Sequence, residues 1–265
     1  MDPRESIQRW DGLLGKIRER ALETLAQAEA GCGMLLDLNN LDPQPMTVAW
    51  GAIENQLREL GTRVDTTFRE KVEPTLEAEG EDDGGRIAAA ERGKGEAFAR
   101  WLERERETVA TRIFAAAAQK IFAQARATLG KDFRCTQCQA ALPLSDRFFR
   151  ARHVPCAYCN RVNTFVPGTQ VAAVEFFCCH YLARDKVKDL WFAWLEAEER
   201  MRASRADQDD VRALITAAEQ ALVAYTTAYL RARIEIVPEY EKDFAKDLEG
   251  RTAFFREQVA RELAT

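Results

Sequence analysis

The sequence predicts a mainly α protein: a bundle of long antiparallel helices with a small β module inserted at one end. Three observations predict it. Apolar residues recur every three or four positions through most of the 265 residues, the period of helices lying on a core. Two Cys-x2-Cys pairs, Cys135–Cys138 and Cys156–Cys159, stand together in a short middle segment with 17 residues between them. That segment differs in charge from its flanks. Residues 130–168 carry 6 Lys+Arg against 2 Asp+Glu, whereas residues 1–129 carry 18 against 23 and residues 169–265 carry 14 against 18. Three parts are therefore expected: an N-terminal helical arm (1–129), the inserted module (130–168), and a C-terminal helical arm (169–265) packing on the first.

In the first 31 residues, Ile7, Trp10, Leu13, Leu14, Ile17, Ala21, Leu25 and Ala28 step at helical spacing, and Gly31-Cys32-Gly33 is the expected stop. Asp37 to Pro45 is rich in turn formers. It is not a calcium loop, because Leu41 takes a place that needs an oxygen ligand and the central glycine is missing. A second helix is expected from near Thr47 through Ile53, Leu57, Leu60, Val64 and Phe68, with Pro74 kinking or ending it. The acidic, glycine-rich run Glu77–Gly85 reads as a loop. Arg92-Gly93-Lys94-Gly95 resembles part of a phosphate loop, but Ala88 and Gly95 stand where that motif needs Gly and Ser or Thr. A long helix then runs to Leu129, its apolar face formed by Phe98, Trp101, Leu102, Val109, Ile113, Phe114, Ala117 and Ile121. The charged run Glu103–Glu107 is its solvated face.

Gly130 closes that helix. After Gly168, Val171, Val174, Cys178, Tyr181 and Leu182 form one stripe, which Cys179 cannot share. Leu190 to Leu195 is apolar nearly all round, as expected of a deeply buried segment or of a dimer interface. Ser204–Asp210 is a turn, with Asp207 a candidate helix cap. Val211, Leu214, Ala218, Leu222, Tyr225, Tyr229, Ala232 and Ile236 trace one face for about 39 Å at 1.5 Å per residue. Pro238 interrupts it. A continuation should end near Gly250, and Phe254–Leu263 should be a last short helix.

The cysteine pairs carry the chemistry. A Cys-x2-Cys followed at this distance by a second is the sequence form of a structural zinc site, each pair supplying two thiolates from one tight knuckle. Four thiolates leave no open position for water, so the metal, one Zn2+, is expected to be structural. His153, three residues before Cys156, is a conceivable substitute ligand, more naturally placed outward from a strand. Haem attachment fails because Asn160 follows Cys159, and no thioredoxin-like βαβ pattern surrounds the pairs.

From Phe133-Arg134-Cys135 to Phe165-Val166-Pro167 the segment resembles a zinc ribbon, two Cys-x2-Cys knuckles joined by short β-hairpins. The resemblance covers residues 131–167 only. It implies a left-handed residue after each knuckle, a place that suits Asn160 better than Gln139. Cys32, Cys178, Cys179 and His180 form no second quartet, and buried apolar thiols account for the cysteines.

Function is less constrained. Only two histidines are present, His153 and His180, with no nucleophile–base pattern, so no enzyme is expected. The expectation is a cytoplasmic, non-enzymatic helical scaffold or adaptor with coiled-coil character, compatible with a homo-oligomer, whose zinc module binds a protein partner. An alternative is nucleic-acid binding. Arg134, Arg147, Arg150, Arg152 and Arg161, with Phe148, Phe149, Tyr158 and Phe165, combine cations with rings that stack on bases. Against it, those arginines can pair with the acidic helical arms. No membrane association is expected, because the N-terminus has no apolar leader and no apolar run is long enough to span a bilayer.

Overall fold

The structure, a computed structural model, describes residues 3–78, 83–129, 133–143, 149–203 and 208–263. The chain divides into two compact units, Met1–Ile113 and Phe114–Thr265. The fold is mainly α, with one two-stranded antiparallel sheet beside the four cysteines. Among the described residues, no helix is long and apolar enough to cross a membrane.

In the first unit, α1 (Pro3–Leu38) and α2 (Pro43–Thr67) pack on each other as a helical hairpin. The helix does not stop at Gly31-Cys32-Gly33. Cys32 and Leu36 continue the buried stripe of Leu25 and Ala28, and their burial offsets the roughly 1 kcal/mol that a glycine costs in a helix interior. The chain turns at Asn40 and Leu41, both left-handed (φ 53° and 63°). Here α2 begins at Pro43, earlier than the apolar pattern indicates. The Asp42 side chain caps it by accepting from the Gln44 amide at 3.0 Å, and proline in the first turn has no N–H to leave unpaired.

Pro74 neither kinks nor ends a single long helix. A π-helical turn, Phe68–Val72, precedes α3 (Glu73–Glu77), and the Glu73 amide reaches back to Phe68 O. The widened turn comes just where proline removes a donor. α4 (Asp83–Leu129) starts inside the predicted Glu77–Gly85 loop.

Trp10 anchors this unit. Its ring lies 5.6 Å from that of Phe68, and its indole N–H donates to Glu91 O at 3.3 Å. A Cβ on Gly95 would come within 3.2 Å of the Trp10 ring, so this glycine permits close approach of α4 to the indole. Lys94 is held by Asp11 and Glu91, each at 2.8 Å. The glycine-lysine run is thus part of a helix contact, which disposes of the phosphate-loop likeness structurally as well.

The second unit holds the end of α4, the strands β1 (Arg152–Pro155) and β2 (Val162–Phe165), α5 (Thr169–Ala173), a π-helical turn (Val174–Cys178), α6 (Cys179–Lys186), α7 (Lys188–Ala203), α8 (Gln208–Ile236), a 3-10 turn (Pro238–Asp243) and α9 (Phe244–Leu263). α8 is its spine and touches α6, α7 and α9. The predicted face is the buried one: Ala218, Leu222, Tyr225, Tyr229 and Ala232 pack with Ala183, Ala197, Phe255 and Val259.

Four expectations are corrected here. Gly250 does not end a helix, since α9 runs through it. Leu190–Leu195 is not deeply buried: Leu190 is exposed, while Trp191 and Trp194 are half-buried and pack on Tyr225. Cys179 is as buried as Cys178. Cys178 is the last residue of the π turn and Cys179 the first of α6, so a single α-helical period does not describe the pair. Of the predicted turn Ser204–Asp210, residues 204–207, with the Asp207 cap, lie outside the described residues, as does Gly130; residues 208–210 are not a turn but the start of α8.

Replacing Trp10 by Ala should destabilise the protein by about 3–5 kcal/mol, the usual cost of truncating a buried tryptophan. Urea denaturation followed by circular dichroism measures it.

Candidate metal centre

Two short hairpins bring the four cysteines together. In the first, Arg134 bridges Ala141, and Cys135 and Cys138 lie in the turn. In the second, β1 pairs antiparallel with β2 in the register Arg152–Phe165 to Pro155–Val162, and Cys156 and Cys159 form its turn.

The two turns repeat one backbone pattern. The Gln139 amide donates to Cys135 O (3.0 Å) and the Cys135 amide to Ala140 O (2.8 Å); the Asn160 amide donates to Cys156 O (2.9 Å) and the Cys156 amide to Arg161 O (2.9 Å). Gln139 and Asn160 are both left-handed, with φ of 61° and 59°. Gln139 therefore takes the conformation despite its poor suitability, because the reversal after the knuckle requires it.

The four Sγ atoms lie within 4.8 Å of one another, with Cys135–Cys159 and Cys138–Cys156 each at 3.5 Å. A tetrahedral shell with bonds of about 2.3 Å has sulfurs about 3.8 Å apart, so the quartet is compatible with one zinc ion. Cys135 and Cys156 are buried, Cys159 is half-buried and Cys138 is exposed. Leu142 and Val154 back the buried pair, and Phe133 meets Phe165 edge-on at 5.6 Å.

Charge explains why this arrangement suits a cation. The Cys138 amide, with those of Gln137 and the Asn163 side chain, brings the Cys135 thiol down to about 6. The Cys159 and Tyr158 amides lower Cys156 likewise. Cys138 and Cys159 move the other way. The Ala140 and Arg161 amides favour their thiolates, but burial and the neighbouring sulfurs outweigh them and push Cys159 up to about 12. Two thiolates are encouraged and two are opposed, and a divalent ion removes the opposition.

Asn163 was not visible as a functional residue in the sequence. It is 2% exposed and ties the hairpins together. Its Oδ1 accepts from the Thr136 amide (2.9 Å) and hydroxyl (3.0 Å); its amide donates to Arg161 O (2.9 Å) and approaches Cys135 Sγ at 3.6 Å. The only sequence signal was a polar residue at an inward strand position. His153 is not among the metal-competent residues; it is exposed on β1, with Nδ1 3.1 Å from Thr164 Oγ1.

Of the five predicted contact arginines, Arg147, with Phe148, lies outside the described residues. Arg150 makes a paired contact with the Glu175 carboxylate, which also accepts from the Tyr240 hydroxyl at 3.1 Å. Arg152 pairs with Glu239. Arg134 donates to Gln139 O at 3.2 Å, and Arg161 is exposed. Phe149 is buried, 5.9 Å from Phe122. Two of the cations thus meet acidic groups of the surrounding helical segments.

The remaining thiols form no second site among the described residues. Burial raises Cys32 and Cys179 and pushes Cys178 up to about 12; Cys179 donates to Arg233 O at 3.7 Å. His180 Nδ1 lies 2.7 Å from the Tyr229 hydroxyl. Burial, then Arg184, Arg233 and Arg251, depress His180 to about 4.

No protein-family model matches the chain, and neither any curated protein nor any solved structure matches it.

Asn163→Ala should weaken metal binding roughly 10–100-fold, as loss of groups that orient ligands does, with helix content unchanged. Competition with a chromophoric chelator reads the affinity. His180 gives a pH test. An unfolded histidine takes a proton near 6.5, but folded His180 does so only near 4. Stability should therefore be complete above about pH 6.5 and fall as pH drops toward 4. His180→Gln should flatten that part of the stability–pH curve relative to the parent, measured by urea titration across the range.

Proposed function

We propose that the four-cysteine module is a zinc ribbon holding one structural Zn2+, and that the protein is a non-enzymatic helical scaffold or adaptor whose ribbon docks a protein partner. The observation carrying it is the apolar surface left on the module. Tyr158, inside the second knuckle, is 82% exposed; Val162 and Val166 are 56% and 71% exposed. A small metal-stapled element has no need to present three apolar side chains to water, and exposed apolar clusters are typical of contact sites. Arg161 stands beside them in sequence and has no side-chain partner among the described residues. The complementary partner surface is apolar with an acidic rim.

A structural metal suits this role. Four cysteine ligands saturate zinc, and the ion's binding energy becomes folding energy for hairpins too short to fold alone. Nucleic-acid binding is the second candidate, favoured by the same Tyr158 as a base-stacking ring with Arg134 and Arg161. It is the weaker one, because Arg150 and Arg152 are engaged by Glu175 and Glu239.

Elemental analysis should find one zinc per chain. Chelation should collapse the dispersed amide signals of residues 133–165 and leave the helical circular dichroism largely intact. The combined variant Tyr158→Ser, Arg161→Glu, Val162→Ser should keep its zinc and lose the partners captured by the parent chain from its native host. An unchanged set of partners would refute ribbon docking, and a salt-dependent mobility shift with single-stranded RNA or DNA, abolished by the same variant, would favour the second candidate.

A further inference from the structure

A cleft of about 430 Å³ opens between α7, α8 and α9, far along the chain from the cysteine module. This volume falls within the range that small molecules occupy. Trp191, Trp194, Leu222, Tyr225 and Phe254 supply its apolar wall, and Glu198, Arg251 and Gln258 its polar positions. The rings are organised against one another. Trp194 and Tyr225 are parallel within 2° at 5.8 Å, and Trp191 leans on both at 4.9 and 5.0 Å. A parallel pair and a tilted third ring favour a flat apolar body over a branched one.

The polar groups choose the sign of the ligand. The indole Nε1 atoms of Trp191 and Trp194 are buried without an acceptor, and with no surface open to the cleft they cannot donate to a ligand in it. Glu198, the one carboxylate in the wall, is bound to Arg202 at 3.1 Å. Arg251 lies 5.2 Å over the Tyr229 ring and has no carboxylate partner among the described residues. Two more cations stand close behind: Arg184 is 4.4 Å over Trp191, and Arg233 is 4.3 Å over Tyr240 and 5.7 Å over Tyr229. Of the rings that line the cleft, Trp191 already has Arg184 over it, so a cationic ligand would meet an arginine there. His180 beside Tyr229 is depressed first by burial and then by Arg184, Arg233 and Arg251.

We propose that this cleft binds a small planar aromatic anion, its ring body against Trp191, Trp194 and Tyr225 and its negative group toward Arg251. The site does not depend on the metal-stapled module or on partner docking.

Three probes with one ring system separate shape from charge: 2-naphthoate, the neutral 2-naphthamide, and the cationic trimethyl(2-naphthylmethyl)ammonium. Each is titrated calorimetrically into the full-length zinc-loaded chain. The naphthoate should bind with one-to-one stoichiometry and at least tenfold more tightly than the other two. Arg251→Gln should cost the naphthoate about tenfold and leave the naphthamide unchanged. Gly250 borders the cleft, and a Cβ there meets nothing within 4 Å, so Gly250→Trp should fold normally and block both probes. Thermal melts of both variants confirm that they are folded. Absence of naphthoate binding at millimolar concentration, equal or tighter binding of the cation, or naphthoate binding indifferent to both variants would each overturn the proposal.

Discussion

Four sulfurs must meet within 4.8 Å, and the geometry of the cysteine module follows from that demand. Each knuckle has to reverse the chain in a few residues and aim two side chains at one point. Only a left-handed residue after the second cysteine does this, and both Gln139 and Asn160 adopt it. The amides released by the reversal point back at Cys135 and Cys156, so the backbone that makes the turn also favours thiolate. What the backbone cannot do is relieve the crowding of the other two sulfurs. Backbone and protonation are thus one coupled system at the cysteine quartet rather than a site added to a fold.

Asn163 and the arginines extend that system outward. Asn163 closes the gap between the hairpins through three polar contacts, a task the first knuckle cannot manage alone because its partner strands reduce to one bridge. Arg150 and Arg152 then join the module to Glu175 and Glu239, and Phe149 meets Phe122. Partly exposed ion pairs of this kind contribute little to stability individually. Their effect is to orient: they hold the neighbouring ring contacts in place and leave Tyr158, Val162 and Val166 facing solvent.

Much of this was legible in the sequence because spacing encodes geometry. The helical period located α8 and the core face of α1, and the Cys-x2-Cys pairs located all four sulfurs. Element ends were less legible. Gly31, Gly33 and Gly250 look like stops, but a glycine ends a helix only when burial further along fails to repay its flexibility, and Cys32, Leu36 and Phe255 are buried. Asp42 and Pro43 gave the start of α2 through capping, which an apolar count does not see. Asn163, Glu175 and Glu239 were hidden for a different reason. Their long-range partners lie between 25 and 87 residues away, and no local pattern in a single sequence records such a pairing. The arginine–aromatic cleft was invisible in the same way, since α7, α8 and α9 each supply only part of it.

The π-helical turn at Val174–Cys178 has a consequence for how this stretch can change in length. A turn of this type holds one residue more than an α-helical turn in the same span. Removing one residue there would restore ordinary winding with no chain break and no lost loop. The helix on either side would keep its phase, because the turn with its extra residue sweeps about the same angle as an α-helical turn without it, and only the residues inside the turn would be re-aimed. Cys178 and Cys179 now both face inward, and Glu175 points at Arg150. A deletion there would therefore fall on the turn that carries Glu175, the residue that ties the cysteine module to this helix through Arg150, while α6 beyond it stayed in place.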